Sequence, residues 1–333
     1  PRAMILHITL PEDWAAARRI GRYTASTRGA SIDDVGFLHA SDDAAQVGVV
    51  GAAIYPDRPD AFVVGLDEDE LAGAGLRVRR EPGDPSDPHS AEFPHVYPGE
   101  AVSGHIPWSM LTPVTDPRAE ARVHREDSAE AAALLDAGWS IRSRSWGARL
   151  HLDDDADLAS YRGHVAASEA RGIEVRRLTA VDLPALRALD EEAAPRFPRT
   201  DGSRHEPLPD DLEARLSTPE GLAVGAFEGG VLIGFTLTFR SPDRWEVDRT
   251  AVAAEHENRG VAKAVKAATV LATHARGGRE WGTGGAEANA ASLRMNTALG
   301  FRLEPAWLGL TPPMTWEEFV QAPASSTLDD KVT

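Results

Sequence analysis

The chain has no cysteine in 333 residues. That excludes disulfide staples, thiolate nucleophiles and cysteine-ligated zinc, and makes the cytoplasm the expected compartment. No run of about 18 apolar residues occurs, so no membrane-spanning helix is expected. The opening Pro1-Arg2-Ala3-Met4 lacks the apolar stretch of a signal peptide and reads as a short remnant ahead of a native start at Met4. Lysine is scarce: Lys263, Lys266 and Lys331 are the three, and the first two stand three residues apart. With 35 basic against 52 acidic residues the formal charge is −17. No surplus of positive charge is left to neutralise phosphates, which argues against general nucleic-acid or anionic-membrane binding and favours a cationic substrate.

At about 100–200 residues per domain, this length predicts two domains. Residues 1–112 read as α+β, with a strand at Ile5–Thr9, a helix at Pro11–Arg19 and a strand at Ala61–Leu66. A Pro- and Asp-rich loop from Glu81 to Ser90 follows, then Phe93–Tyr97 and a strand at Ala101–Ile106. Pro113 and Pro117 mark a boundary. Residues 113–170 form a linking block, with a helix capped by Ser128 and closed at Gly138, a strand pair over Trp139–Leu152 and a helix from Leu158 to Ala170. From 171 to 320 strands and helices alternate, with a tight turn at Glu228-Gly229-Gly230. Residues 321–333 are a tail expected to be disordered.

The strongest chemical signal lies in the last block. A strand, Trp245–Val252, leads through a Gly-containing turn into a helix that begins at Gly260. Free backbone N–H groups and the helix dipole make such a junction an anion site suited to a pyrophosphate. Gly260 and Ala262 leave the backbone approachable, and Lys263 and Lys266 in the first turns would face the anion or solvent. Strict alternation puts Glu246, Asp248 and Thr250 on one strand face, so Glu246 and Asp248 are the candidate proton acceptors for an attacking amine.

The order of these pieces resembles the GCN5-related N-acetyltransferases, whose pyrophosphate loop reads Gln/Arg-x-x-Gly-x-Gly/Ala. Here it reads Glu257-Asn258-Arg259-Gly260-Val261-Ala262, with Glu257 in place of Gln or Arg. Downstream, Asn289 to Phe301 is similar to the family's Asn-x-x-(Ala/Ser)-x-x-x-Tyr-x-x-x-Gly-Phe helix, with Asn296 where the Tyr that protonates the leaving thiolate often stands. The resemblance implies a mixed, mostly antiparallel sheet flanked by helices, and acetyl-CoA or another acyl-CoA as cofactor. It implies that the Ala251-Val252-Ala253 backbone holds the thioester and pantetheine arm, that Glu257 to Lys263 hold the phosphates, and that Asn289 and Asn296 lie near the acyl end. The implied activity is N-acyl transfer to the amine of a small molecule. The alternatives are a binding protein for acyl-CoA or a nucleotide without turnover, and a bifunctional enzyme with NAD-linked chemistry in the N-terminal half. Residues 129–152, whose stretch 129–139 repeats the helix-then-Gly-aromatic ending of residues 292–301, look like the last helix and strands of a degenerate second acetyltransferase unit or, alternatively, a plain helix and hairpin; either is expected to pack on the catalytic domain.

Toward the N-terminus, Gly36-Phe37-Leu38-His39-Ala40-Ser41 and Phe93-Pro94-His95-Val96-Tyr97 resemble the bacterial domain-of-unknown-function 952 family over about residues 4–108. That family looks similar in fold to ADP-ribosyltransferases and RNA 2′-phosphotransferases, which implies an ADP-ribosyltransferase-like α+β domain. Read directly, His7, His39 and His95 suit phosphate contacts or acid–base steps, Tyr23 and Tyr97 stacking, and Ser41 a ribose hydroxyl. The histidine spacing also permits a metal, but is too loose to argue for one. The six residues are the candidate N-terminal pocket.

Overall fold

The computed structural model describes residues 4–84, 86–87, 89–99 and 104–322. It divides into two compact units, Pro1–Arg142 with Gly309–Thr333, and Ser143–Leu308. This division differs from the boundaries read from sequence. The helix Ala129–Asp136 lies in the first unit, where Trp14 Nε1 donates to the Leu135 carbonyl at 3.1 Å and Arg18 pairs with Asp136 at 2.6 Å. Of the strand expected at Ala101–Ile106, residues 101–103 fall outside the described set, as do 323–333 of the tail.

In the first unit the strand Phe62–Asp67 is buried on both faces, between Met4–Thr9 and Thr112–Pro113. Phe62, Val64 and Leu66 pack with Trp14, Ala17 and Tyr23, while Val63 packs on the other side with Val47, Met314 and Phe319. The helix Pro11–Ile20 starts on a proline, carries Glu12 and Asp13 in its first turn and Arg18 and Arg19 in its last, and ends on Gly21 at φ 73°. A second antiparallel sheet runs Leu38–His39, Glu92–Tyr97, Arg77–Pro82.

The second unit is built on a mostly antiparallel sheet. Its strands include, in spatial order, Ser140–His151, Glu280–Ala286, Trp245–Val252, Val231–Arg240, Gly221–Glu228 and Ile173–Arg177, and the short Arg302–Leu303 pairs with Ser140–His151 off that path. Ser140–His151 is one 12-residue strand rather than the expected pair, for no residue within it takes the left-handed backbone a tight hairpin demands. Alternating side chains feed two cores. Leu222, Val224 and Ala226 meet Val261 and Val265 of the helix Val261–His274, whereas Ala223, Phe235 and Leu237 meet Leu186 and Leu189 of the helix Leu183–Ala193.

One join is parallel, and it is incomplete. Trp245–Val252 pairs along its length with Val231–Arg240, but with Glu280–Ala286 only at Trp245–Trp281 and Glu246–Gly282. Beyond those two pairs the strands part.

Candidate active site

The parted strands open a cleft of about 930 Å³. One wall is the stretch from Val247 to Val252, the other Thr283 to Ala286 with the helix Ala290–Ala298, and the loop before Val261–His274 closes one end. That loop is conformationally unusual. Asn258, at φ 59°, is the single non-glycine with positive φ among the described residues, and Gly260 follows at φ 77°. No side chain caps the helix, and the N–H groups of Asn258, Arg259 and Gly260 have no hydrogen-bond partner among the described residues. With the first N–H groups of the helix itself, they form a row of open donors at its positive end. A side chain at Gly260 would need strained backbone and would meet Arg171 at 3.3 Å.

The sequence-predicted residues separate here. Ala251, Val252, Glu257, Asn258, Gly260, Val261, Ala262, Lys263, Asn289 and Asp248 line the cleft. Ala253 does not, and its N–H is taken by the Ile233 carbonyl at 2.9 Å. By strand alternation the N–H of Val252 then faces the gap. Arg259 turns away to pair with Glu228 at 2.7 Å. Glu257 pairs with Arg196 at 3.1 Å, and Arg196 also donates to the Val252 carbonyl at 2.6 Å. Asn289 caps its helix by accepting from the Ser292 N–H at 3.1 Å.

Two expectations are corrected. Glu246 and Asp248 do not share a face with Thr250 by simple alternation, because the register shifts between Leu237 and Thr238 and leaves Asp248 as the extra residue of a bulge. A bulge re-aims its side chain. Asp248 is turned to the cleft, where its carboxylate accepts from Arg249 Nε at 2.7 Å, whereas Glu246 lies over Gly282, held by Arg244, and does not line the cleft. The second correction concerns Lys266 and Asn296. Lys266 faces neither anion nor bulk solvent. It is 1% exposed, and its Nζ donates to Thr283 Oγ1 at 2.9 Å and to Asn296 Oδ1. Asn296 sits behind it, equally buried, with its Nδ2 donating to the Ser292 carbonyl at 2.8 Å. Burial pushes the Lys266 ammonium down from 10.5 to about 7.

Sequence reading missed a further group. Asp190 is buried, and its carboxylate receives Arg249 at 3.0 Å and His205 Nε2 at 3.2 Å. His205 stacks on Phe197, 4.6 Å between ring centroids, and Arg249 also donates to the Glu206 carbonyl at 2.9 Å. Together they pin the proline-rich loop that edges the cleft. The signal in sequence was slight: Asp190 follows Leu186 and Leu189 on the inward stripe of a helix, where an acidic residue demands a partner.

The six N-terminal candidates form two groups. His7 and Tyr23 are interior residues: His7 Nδ1 donates to the His39 carbonyl at 2.7 Å, and its Nε2 meets the Tyr23 hydroxyl at 2.8 Å. Ser41 is buried beside them, bridged by its backbone to Leu6. His39 and His95 are cross-strand partners with rings 5.2 Å apart, and Tyr97 donates to Glu81 at 2.6 Å beside His95.

Residues 185–301 match the family model described as Acetyltransferase (GNAT) family, and residues 8–106 match that of Protein of unknown function (DUF952). The chain thus joins a DUF952 domain to a GNAT acetyltransferase domain. Among solved structures, a GCN5-related N-acetyltransferase from Sphaerobacter thermophilus is similar at 18% identity, covering 95% of this chain and 98% of its own, with a TM-score of 0.43. The ribosomal-protein-S18-alanine N-acetyltransferase from Escherichia coli is similar at 17% identity over 46% of this chain and 97% of its own, TM-score 0.33. Aminoglycoside N-acetyltransferase AAC(6')-Iy in complex with CoA is similar at 25% identity over 40% and 89%, TM-score 0.33. No curated protein matches the chain.

Acetyl-CoA is the cofactor of GNAT acetyltransferases, and the residues at the cleft fit it. The donor row at Asn258–Gly260 is uncapped, and the small residues Gly260 and Ala262 leave room for phosphate oxygens.

Proposed function

We propose that the unit Ser143–Leu308 transfers an acetyl group from acetyl-CoA to the amine of a small molecule. The observation that carries this reading is the cleft between the parted strands, with open backbone donors at one end and a re-aimed carboxylate, Asp248, in its wall. When bound, acetyl-CoA would supply an activated acyl carbon. The N–H groups from Asn258 to Lys263 would hold its pyrophosphate, and the Ala251–Val252 backbone would align the arm. The Val252 N–H, facing the gap, would stabilise charge growing on the carbonyl oxygen. Asp248 would accept the proton shed by the attacking nitrogen, while the Glu206 carboxylate, also at the cleft, would help draw in a cationic amine. The test is thiol release over a panel of small amines. Asp248→Asn should lose about 10²–10⁴-fold in turnover with acetyl-CoA affinity kept. Tight acetyl-CoA binding with no release for any amine would instead favour a binding protein without turnover.

A second reading, a ligand site in the DUF952 domain, is favoured by the way His39 and His95 are oriented. Ser26 spends its hydroxyl proton on the Phe37 carbonyl at 2.5 Å, so it accepts from His39 Nδ1 at 3.0 Å. Glu81 accepts from His95 Nδ1 at 2.9 Å. In their neutral forms both histidines therefore carry a lone pair on Nε2, and neither Nε2 has a partner among the described residues. Calorimetry with NAD tests it. Absence of heat, together with unchanged His39 and His95 resonances, would refute it.

A further inference from the structure

Lys266 poses a problem of charge. The residue lies in the wall of the cleft, on the second turn of Val261–His274, with its Nζ among Thr283, Asn296 and the Phe301 ring, whose centroid is 4.9 Å away. Among the described residues no carboxylate reaches it. The strand Glu280–Ala286 offers the Thr283 hydroxyl, and its Glu280 is paired with His151. The helix Ala290–Ala298 offers the Asn296 amide and, toward the cleft, Arg294. On its own helix the charged neighbour is Lys263, one turn away. A buried ammonium without a counter-ion is costly, and a purely structural position would be served as well by methionine or leucine. Asn296 is fixed by its bonds to Ser292 so that its oxygen, not its nitrogen, meets Nζ. The two acceptors use two of the three ammonium protons, and the third has no partner among the described residues.

We propose that Lys266 is the proton donor to the departing sulfur of the acyl thioester. The proposal rests on the acetyl-CoA reading above. As the nitrogen lone pair forms the new carbon–nitrogen bond, the carbon–sulfur bond breaks with its electron pair on sulfur. Lys266 gives one proton to that sulfur and is left as a neutral amine. The proton shed by the attacking nitrogen passes to Asp248 or solvent, and Lys266 takes one back through the cleft. The products are an amide and a thiol, with the protein restored. Burial makes this acid competent. A thiol titrates near about 8.5, so an ordinary lysine would give up its proton uphill, whereas one pushed down to about 7 gives it downhill.

The chain has three lysines, which makes the test direct. In protein labelled at lysine Cε, one resonance should titrate near neutrality and vanish in Lys266→Met. Adding CoA should shift that titration, because its sulfur then lies against Nζ, and the thiolate ultraviolet absorbance of bound CoA should appear only above the pH at which the lysine has lost its proton. Desulfo-CoA should bind without either effect. In turnover, Lys266→Met should lose about 10²–10⁴-fold with acetyl-CoA but little with an aryl thioester, whose thiolate leaves unaided. Retained desulfo-CoA binding would show the variant to be folded. Identical lysine titrations with CoA and desulfo-CoA, or equal losses on both thioesters, would overturn the proposal. If neither CoA nor desulfo-CoA binds, the acetyl-CoA reading fails first and the proposal falls with it.

Discussion

Replacing Lys266 by methionine should change how stability depends on pH. The folded protein holds the Lys266 ammonium at about 7, against 10.5 for the exposed group. Between those values the unfolded chain binds more protons than the folded one, so this residue makes stability rise with pH across that window and leaves it flat below. At about 1.4 kcal/mol per unit, the rise from pH 6 to pH 9 is roughly 2–3 kcal/mol. Methionine fills most of the same volume and does not titrate. At low pH it relieves the buried charge but leaves Asn296 Oδ1 without its donor, an offsetting cost of about 1–3 kcal/mol. The absolute difference between the proteins is therefore small at pH 6, while its change with pH is not. For the unit spanning residues 143–308, a change of about 2–3 kcal/mol corresponds to about 5–10 °C in Tm. Melting curves of both proteins at pH 6 and pH 9 make the comparison. The wild-type advantage should grow by that amount at the higher pH, and parallel pH profiles would refute the claim that the ammonium is buried and unpaired.

Two further predictions concern stability. Asp190→Ala should cost about 1–3 kcal/mol, because the largely buried Arg249 guanidinium and His205 lose a buried acceptor while Arg249 keeps Asp248, and denaturant titration would measure it; a loss below about 0.5 kcal/mol would mean the pair is solvated. His7 is pushed down to about 4 by burial, so its contribution is full above about 6.5 and is lost as pH falls toward 4. The first unit should weaken by roughly 3 kcal/mol over that range, and a His7→Asn variant with the same acid limb would contradict this.

The strand–loop–helix junction was legible because its signals are local: a small-residue turn, a strand before it, an amphipathic helix after it. Ser128 caps its helix as read, accepting from the Ala131 N–H at 3.1 Å. What escaped depends on contacts distant in sequence. The strand Glu280–Ala286 carries Gly282, Gly284 and Gly285, a composition that argues against a strand. The glycines are there because Glu246 and Trp146 lie where side chains would go. The helix Ala44–Ile54 was hidden in the same way: a Cβ on Gly51 would fall 2.3 Å from the Trp316 ring, which comes from the far end of the chain. Alternation placed Asp248 and Glu246 together, and a single bulged residue separates them. Lys266 was read by residue type as facing the anion or solvent. Its place beside Val265 and one turn before Val270 on the buried stripe was the contrary signal.

On the proposed function, the open donors between Asn258 and Lys263 hold the pyrophosphate of acetyl-CoA. Calorimetric titration of acetyl-CoA into the wild-type chain and into Gly260→Glu tests it most directly. Glutamate there would force a side chain into left-handed backbone against Arg171 and set a negative charge among the donors. The wild type should show one site per chain, and the variant, shown to be folded by its melting curve, no measurable heat. Equal affinity in the two proteins would contradict it.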